Sequence, residues 1–345
     1  MNSAVPVIDL NDWWSGSATR RAALADQMRD AAHRVGFFQI VNHGISDDVR
    51  RAALEQMDSF FHLPLSEKEL VVPGDGTYRG YSGRKSESFA YTVGDIRPAD
   101  LVEAFVMGSD ELTSDRGSDL HGHRPNIWPT TLPEFHGHVQ TYYNAARDLS
   151  RTLTDIAAVA LGLDTDFFSH KVDHAVVTMR MNWYQRHEAD PELDEAQMAL
   201  GAHTDYGILT VLLADPGPGL QILSDDSTWL NVEPVDGAFI VNIGDALAVW
   251  TNNFWKSTVH RVVPTMTPGG RARRSIALFQ DGNFATTLAP LPQFVSTDNP
   301  AQYGVTTLGQ HVTDKIAGGR NFAVPDVQQT LGSRSTTEKI GRAHV

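Results

Sequence analysis

From Val176 onward the chain breaks into a series of short apolar runs bounded by turn-forming residues: Val176–Tyr184, Ile208–Leu213, Leu220–Leu223, Phe239–Ile243, Leu247–Trp250, Thr258–Val263 and Arg274–Phe279. Runs of this length, rich in β-branched and aromatic residues, read as strands. Asp215-Pro216-Gly217-Pro218-Gly219 and Asn242-Ile243-Gly244-Asp245 are the clearest turns between them. Regular short strands with Gly, Asp, Asn and Pro punctuation predict a β-sandwich or jelly roll.

The first half has a different texture. Val5–Leu10 reads as a short strand, and a helix is expected from about Ala18 to Val35, with Leu24, Met28, Ala31, Ala32 and Val35 on one face and Gly36 as its stop. Phe37–Val41 is a strand candidate running into an Asn42-His43-Gly44 turn. Ser46 and Asp47 can then cap a helix reaching Phe60 and Phe61, with a further cap signal at Ser66 before Glu67 and Glu69. Residues 72–97 turn glycine-rich and aperiodic, as a long loop or lid does. Leu132–Leu161 has the periodicity of a long helix lying beneath a sheet, ending at Gly162.

At 345 residues and 41% hydrophobic content the chain can bury the core of one compact unit. A formal net charge of −14 disfavours nucleic acid, whose phosphates require clustered cations. The absence of cysteine excludes disulfides, thiolate metal sites and cysteine nucleophiles together. Neither a basic-then-apolar leader nor a segment long enough to span a bilayer is evident, so a cytoplasmic protein without membrane partners is expected, monomeric or weakly self-associating. Ile340–Val345 lack any packing pattern, and His344 is set aside with them.

Against this background His203-Thr204-Asp205 stands out. Residues two apart on a strand project from one face, so His203 and Asp205 can grip one ion while Thr204 points away. His260, on a distant strand candidate, completes two imidazoles and one carboxylate, the facial set that suits non-haem Fe(II) and leaves coordination positions open. His121-Gly122-His123 and His136-Gly137-His138 have metal-like spacing but no matching carboxylate, and the second pair falls on the predicted helix, where residues two apart diverge. His43 reads as structural, and His187 is ambiguous.

Gly201-Ala202-His203-Thr204-Asp205-Tyr206-Gly207, Asn242-Ile243-Gly244-Asp245 and Lys256-Ser257-Thr258-Val259-His260-Arg261-Val262, in this order, resemble the isopenicillin N synthase-like family of iron(II)/2-oxoglutarate dioxygenases. The resemblance extends to Pro6–Leu10, Gly36–Ile45 and Pro125–Pro129, nearly the whole chain. It implies a double-stranded β-helix, a mainly β jelly-roll core with a helical N-terminal region and a long supporting helix. Residues 1–130 would form the N-terminal region with helices, short strands and a substrate loop, 131–325 the core, and 326–345 a disordered tail.

The resemblance also implies His203, Asp205 and His260 as iron ligands. Arg273-Arg274-Ser275 matches the family's Arg-x-Ser element, so Arg273 and Ser275 would bind the distal carboxylate of 2-oxoglutarate. A planar guanidinium fork with a hydroxyl two residues along the same strand face suits a carboxylate, and Arg274 should face away. Asn182-Trp183-Tyr184 resembles an Asn-Tyr-Tyr element that approaches the same co-substrate, with Asn182 and Tyr184 on one face; Trp183 and Gln185 depart from the pattern. The implied reaction uses Fe(II), O2 and 2-oxoglutarate, releases succinate and CO2, and hydroxylates or desaturates an unactivated C–H of a small organic molecule. The carboxylate of Asp205 disfavours halogenation. Tyr78, Arg79, Tyr81, Phe254 and Phe279 are the substrate-pocket candidates.

Glu87–Tyr91 and Thr251–Lys256 look especially like isopenicillin N synthase itself, which motivates a rival: an O2-dependent oxidase or cyclase that uses no 2-oxoglutarate. A non-catalytic metal-binding jelly-roll module ranks lower, since a co-substrate anchor would serve no purpose there. A zinc hydrolase lacks a glutamate placed as general base.

Overall fold

The computed structural model describes residues 5–74, 79–90, 98–110, 125–185, 198–265 and 270–320. Its strands are β1 (Val7–Asp9), β2 (Phe37–Val41), β3 (Gly80–Ser82), β4 (Glu103–Met107), β5 (Val176–Tyr184), β6 (Leu200–His203), β7 (Leu209–Ala214), β8 (Leu220–Leu223), β9 (Trp229–Asn231), β10 (Phe239–Ile243), β11 (His260–Val262), β12 (Arg273–Gly282), β13 (Thr287–Leu288) and β14 (Thr306–Thr307). The α-helices are α1 (Asn11–Ser15), α2 (Ala18–Arg34), α3 (Asp47–Phe61), α4 (Leu65–Lys68), α5 (Phe135–Ala160), α6 (Ser169–Val172), α7 (Asp245–Trp250) and α8 (Leu308–Arg320). None of the described helices is long and apolar enough to cross a membrane.

Two sheets form the jelly-roll core. The larger has the order β1-β2-β10-β7-β12-β5-β4-β3 and the smaller β6-β11-β8-β9. The N-terminal stretch supplies both edges of the larger sheet, β1 and β2 on one side and β3 and β4 on the other, so residues 1–130 and the jelly roll share one hydrogen-bonded surface.

The period of β5 and β12 shows what each face of this sheet is for. Val177, Met179, Met181 and Trp183 enter the main apolar core, as do Ile276 and Leu278 opposite them. The alternate residues, Thr178, Arg180, Asn182 and Tyr184 on β5 and Arg273, Ser275, Ala277 and Phe279 on β12, line a pocket instead. Alternation therefore separates packing from chemistry within single strands.

Helix α5 covers the core face. It buries Phe135, Val139, Tyr142, Ala146, Leu149, Leu153 and Ile156, spaced at three or four residues, and the neighbouring Tyr143, also buried, donates a hydrogen bond to the Val177 carbonyl at 3.0 Å. Phe60, Phe105 and Phe135 form a triangle with ring centroids 5.0, 5.1 and 5.5 Å apart, tying α3, β4 and α5 together. Aromatic pairs of this kind contribute about 0.5–1.5 kcal/mol each beyond area burial.

The structure corrects several local expectations. Leu247–Trp250 is no strand but most of α7, whose six residues are all buried. An element buried all round has no polar face to display a helical period, so a short apolar run cannot be told from a strand by pattern. Part of the glycine-rich 72–97 stretch is ordered as β3, paired antiparallel with β4. Ser66 lies inside α4, whose N-cap is Pro64, whereas Ser46 caps α3 by accepting from the Val49 N–H. Strand β11 is shorter than the Thr258–Val263 run, and residues 326–345 lie outside the described residues.

Gly36 joins α2 to β2 with φ +74°, and a Cβ there would sit 2.3 Å from the Lys256 carbonyl oxygen and 2.5 Å from Thr258 Oγ1. That close approach lets Thr258 Oγ1 donate to the Val35 carbonyl at 2.6 Å and fixes the segment leading into His260. Gly36→Ala is expected to lower stability by at least about 2 kcal/mol, read as a shift in the urea midpoint without a change in slope.

Candidate active site

The smaller sheet brings the distant His residues together through a single register. In the β6–β11 pair His260 lies directly opposite His203, with ring centroids 4.3 Å apart. Strand β6 ends at His203, so Asp205 belongs to the following loop and not to the strand as the spacing predicted. Its backbone is held there because its carbonyl accepts from the Asp245 N–H at 2.8 Å at the start of α7. Thr204 is buried and donates to Asp245 Oδ2 at 3.2 Å. Asp205 Oδ1 is 3.7 Å from Nε2 of both histidines, and the three ligand atoms all lie within 4.8 Å of one another.

Hydrogen bonds assign each atom of this triad a task. His203 Nδ1 lies 2.7 Å from the Gly201 carbonyl and His260 Nδ1 lies 3.1 Å from the Thr258 carbonyl. A carbonyl can only accept, so both rings carry their proton on Nδ1 and present a bare Nε2 inward. Asp205 Oδ2 accepts from Thr210 Oγ1 at 2.5 Å and from Asn242 Nδ2 at 2.8 Å, which leaves Oδ1 as the open donor. Burial first, then the adjacent His260, pushes His203 down to about 4, keeping it neutral at physiological pH. Two imidazoles with Nε2 turned inward and an oriented carboxylate fit a divalent cation.

Beside the triad, a second group converges from β5 and β12. Arg273 pairs with Tyr184 and Ser275 with Asn182 across the ladder. The Arg273 guanidinium lies 5.4 Å from the Tyr184 ring centre, and its Nε and Nη1 are buried with no acceptor among the described residues. Burial lowers its pKa, with Tyr184 and Asp215 opposing. Tyr184 and Ser275 hydrogen-bond through their side chains. Arg274 faces the opposite way, gripping Asp215 through Nε and Nη2 at 2.9 Å each and Asp58 through Nη1 at 2.7 Å. A buried cation with unsatisfied donors calls for an anion, and the donor fork suits a carboxylate.

Both groups open into one pocket of about 190 Å³. Of the substrate candidates, Arg79 and Phe279 line it. Tyr81 does not: it is held in the core, where its hydroxyl and Lys68 Nζ both donate to Glu103 Oε2. Phe254 lies elsewhere too, stacked on His33 at 4.5 Å and on Phe294 at 5.7 Å. Tyr78 lies outside the described residues, as do His121, His123 and His187. His136 pairs with Asp110 at 2.8 Å and stacks on Trp128, and His138 is exposed. His43 accepts from the Ile45 N–H and donates to the Gly237 carbonyl.

The structure adds pocket residues that the motif reading passed over. Arg180 donates to Asn182 Oδ1 at 2.6 Å and to Glu87 Oε2 at 2.8 Å, and lies over Phe89, whose ring is 5.2 Å from that of His203. Asp281 lies two residues beyond Phe279; burial, then the nearby Asp205, pushes it up to about 7, with Arg79 opposing. Extending the two-residue period one step past Asn182 and one past Phe279 would have found both. Helix α8 closes the pocket with Val312, Thr313 and Ile316.

Comparison with known proteins gives the same class. Residues 5–131 match the family model described as non-haem dioxygenase in morphine synthesis N-terminal, and residues 174–282 match the 2OG-Fe(II) oxygenase superfamily. Validamycin A dioxygenase of Streptomyces hygroscopicus subsp. limoneus is 32% identical over 84% of this chain and 80% of its own length. The 2-oxoglutarate-Fe(II) type oxidoreductase hxnY of Emericella nidulans is 32% identical over 92% of this chain and 89% of its own. A Neurospora crassa protein crystallised with alpha-ketoglutarate and thymine superposes with a TM-score of 0.78 at 27% identity, covering 91% of this chain and 96% of that one. The chain belongs to the isopenicillin N synthase-like family of Fe(II)/2-oxoglutarate-dependent dioxygenases. It is an oxidoreductase that uses Fe(II), 2-oxoglutarate and O2.

Two predictions follow from groups surrounding the triad. Asn242→Ala or Thr210→Val frees Asp205 Oδ2 to rotate, and each is expected to weaken divalent-metal affinity about 10- to 100-fold in a Co(II) titration. The second concerns Asp245, which accepts from Ser257 Oγ at 2.5 Å and Lys315 Nζ at 2.8 Å and lies 3.7 Å from His311 Nε2. Burial chiefly pushes His311 from an ordinary 6.5 down to about 4. Below pH 6.5 the unfolded chain therefore takes up a proton that the fold refuses, so this stability is present above 6.5 and lost as pH falls towards 4. Urea midpoints over that window should fall less steeply for His311→Gln than for the unsubstituted chain.

Proposed function

We propose that His203, Asp205 and His260 hold the Fe(II), that Arg273 and Ser275 anchor the distal carboxylate of 2-oxoglutarate, and that Asn182 and Tyr184 orient its inner end. Arg273 carries this reading: its buried Nε and Nη1 find no acceptor among the described residues, and with Ser275 on the same strand face and Asn182 and Tyr184 beside them they fit the distal carboxylate of 2-oxoglutarate. Iron bound by the triad supplies O2 activation coupled to oxidative decarboxylation of 2-oxoglutarate to succinate and CO2.

The protein's own part is positioning. The Nδ1–H bonds to Gly201 and Thr258 orient both imidazoles to hold the metal, and Thr210 with Asn242 occupies Asp205 Oδ2, so that Oδ1 would be the oxygen offered to it. Leu212, Leu220 and Val262 line the pocket near Arg273 and limit water around the co-substrate. Arg79 and Phe279 lie where a substrate C–H can be presented, and hydroxylation or desaturation of a small organic molecule is the outcome this favours. Relatives named for validamycin A and solved with thymine support a small-molecule substrate, and the charge of −14 weighs against a polyanionic one. A cytoplasmic, monomeric or weakly self-associating enzyme is in keeping with the composition.

Anaerobic reconstitution with Fe(II) and 2-oxoglutarate is expected to give the weak visible metal-to-ligand charge-transfer band, and admission of O2 to give succinate. Both signals should vanish in His203→Ala, and Arg273→Ala should need at least about tenfold more 2-oxoglutarate for the same band. Iron binding with neither band nor succinate would overturn the assignment in favour of an oxidase that does not use 2-oxoglutarate.

A further inference from the structure

Strand β12 carries one more pocket-facing polar group than the co-substrate needs. Arg273, Ser275, Ala277, Phe279 and Asp281 all line the pocket, and Asp281 is the furthest along the strand from Arg273. In the ladder with β5, Gln280 pairs with Val177 and Gly282 with Val176, so Asp281 is the extra residue of a β-bulge. Bulges beside active sites redirect side chains.

Asp281 is 9% exposed, and among the described residues no side chain or backbone group donates a hydrogen bond to its carboxylate. The loop after Asp205 makes room for it: a Cβ at Gly207 would lie 2.4 Å from Asp281 Oδ1. Arg79, 2% exposed, lines the same pocket and acts electrostatically on Asp281. Gly108 admits that guanidinium, since a Cβ there would lie 2.1 Å from Arg79 Nη2. With no protein donor among the described residues and not sealed from the pocket they line, the Asp281 oxygens are open to a donor on a bound ligand.

We propose that Asp281 is the specificity-determining acceptor of the substrate pocket, taking a hydroxyl or ring N–H of a neutral small molecule whose apolar part lies against Phe279 and Val176. Neutrality follows from the electrostatics of the two groups. Arg79 opposes an ammonium ion at this end, and Asp281 opposes a carboxylate. An uncharged donor satisfies Asp281 without disturbing either balance. The proposal rests on the dioxygenase reading above and deepens it.

The test uses the full chain loaded with Zn(II) and 2-oxoglutarate, so that binding is read without turnover. Ligand-observed NMR would compare cyclohexanol with methoxycyclohexane, 2-piperidone with its N-methyl derivative, and cyclohexylammonium as the cationic probe. Each donor is expected to bind at least about tenfold more tightly than its methylated partner, with the gap falling below about twofold in Asp281→Leu. Asp281→Asn, which keeps the volume and one acceptor oxygen, should retain part of the gap and serves if the leucine variant does not fold. Equal binding of the partners, no binding of either, a gap that survives in Asp281→Leu, or preference for the ammonium probe would each overturn the proposal. Calorimetric titration of 2-oxoglutarate into the same samples separates the two readings: its failure to bind would count against the co-substrate site, whereas normal binding with no donor preference counts against Asp281 alone.

Discussion

The antiparallel pairing of β5 with β12 is the constraint on which the rest of the pocket depends. Its register sets Arg273 against Tyr184, Ser275 against Asn182, Ala277 against Arg180 and Phe279 against Thr178. Slipping β12 by one residue would turn Arg273, Ser275, Ala277 and Phe279 into the apolar core and bring Ile276 into the pocket, and slipping β5 would exchange Asn182 and Tyr184 for Met181 and Trp183. The register is therefore enforced by burial. Met179, Met181, Ile276 and Leu278 pack in one core with the apolar stripe of α5, and the polar face inherits its geometry from that packing.

The metal triad is built differently, from two short strands and a loop. Strand β11 has three residues and β6 has four, so ladder hydrogen bonds alone are a modest source of rigidity. What stiffens them is a ring of contacts around Asp245. Its N–H holds the Asp205 carbonyl, while its carboxylate gathers Thr204, Ser257 and Lys315. Burial of this carboxylate is offset by those donors, and Lys315 with His311 helps keep it well below its usual range. One acid, itself no candidate ligand, thereby connects the metal loop, the approach to His260 and the pocket-closing helix α8.

Much of this was legible in the sequence because most of the site follows the two-residue period of strands, with Asp205, on the loop after β6, as the exception. His203, Asp205, Arg273, Ser275, Asn182 and Tyr184 could be placed relative to one another from spacing and motif, and α2, α3 and α5 from their apolar stripes and caps. What escaped has physical causes. Helix α7 is apolar on every side, so Leu247–Trp250 carried no helical signature. Tyr81 and Phe254 are aromatic residues close in sequence to site elements, yet Glu103 and His33 engage them away from the pocket. Arg180 and Asp281 lie one two-residue step beyond the recognised motifs, and a charged residue at such a position reads as solvent-facing until the burial of both strand faces is known.

The strand order also has a temporal consequence. Strand β2 pairs with β10, so Ile40 meets Phe239 from about two hundred residues away, and until β10 exists one edge of β2 is open. At ribosomal rates of ~5–20 residues/s, that edge and the apolar Phe38 and Ile40 wait roughly 10–40 s for their partner. Over that interval the emerging chain presents an unpaired strand beside an amphipathic helix, a combination prone to wrong partners. The long-range pairing that completes the sheet thus leaves the nascent chain with an open strand edge for much of its synthesis.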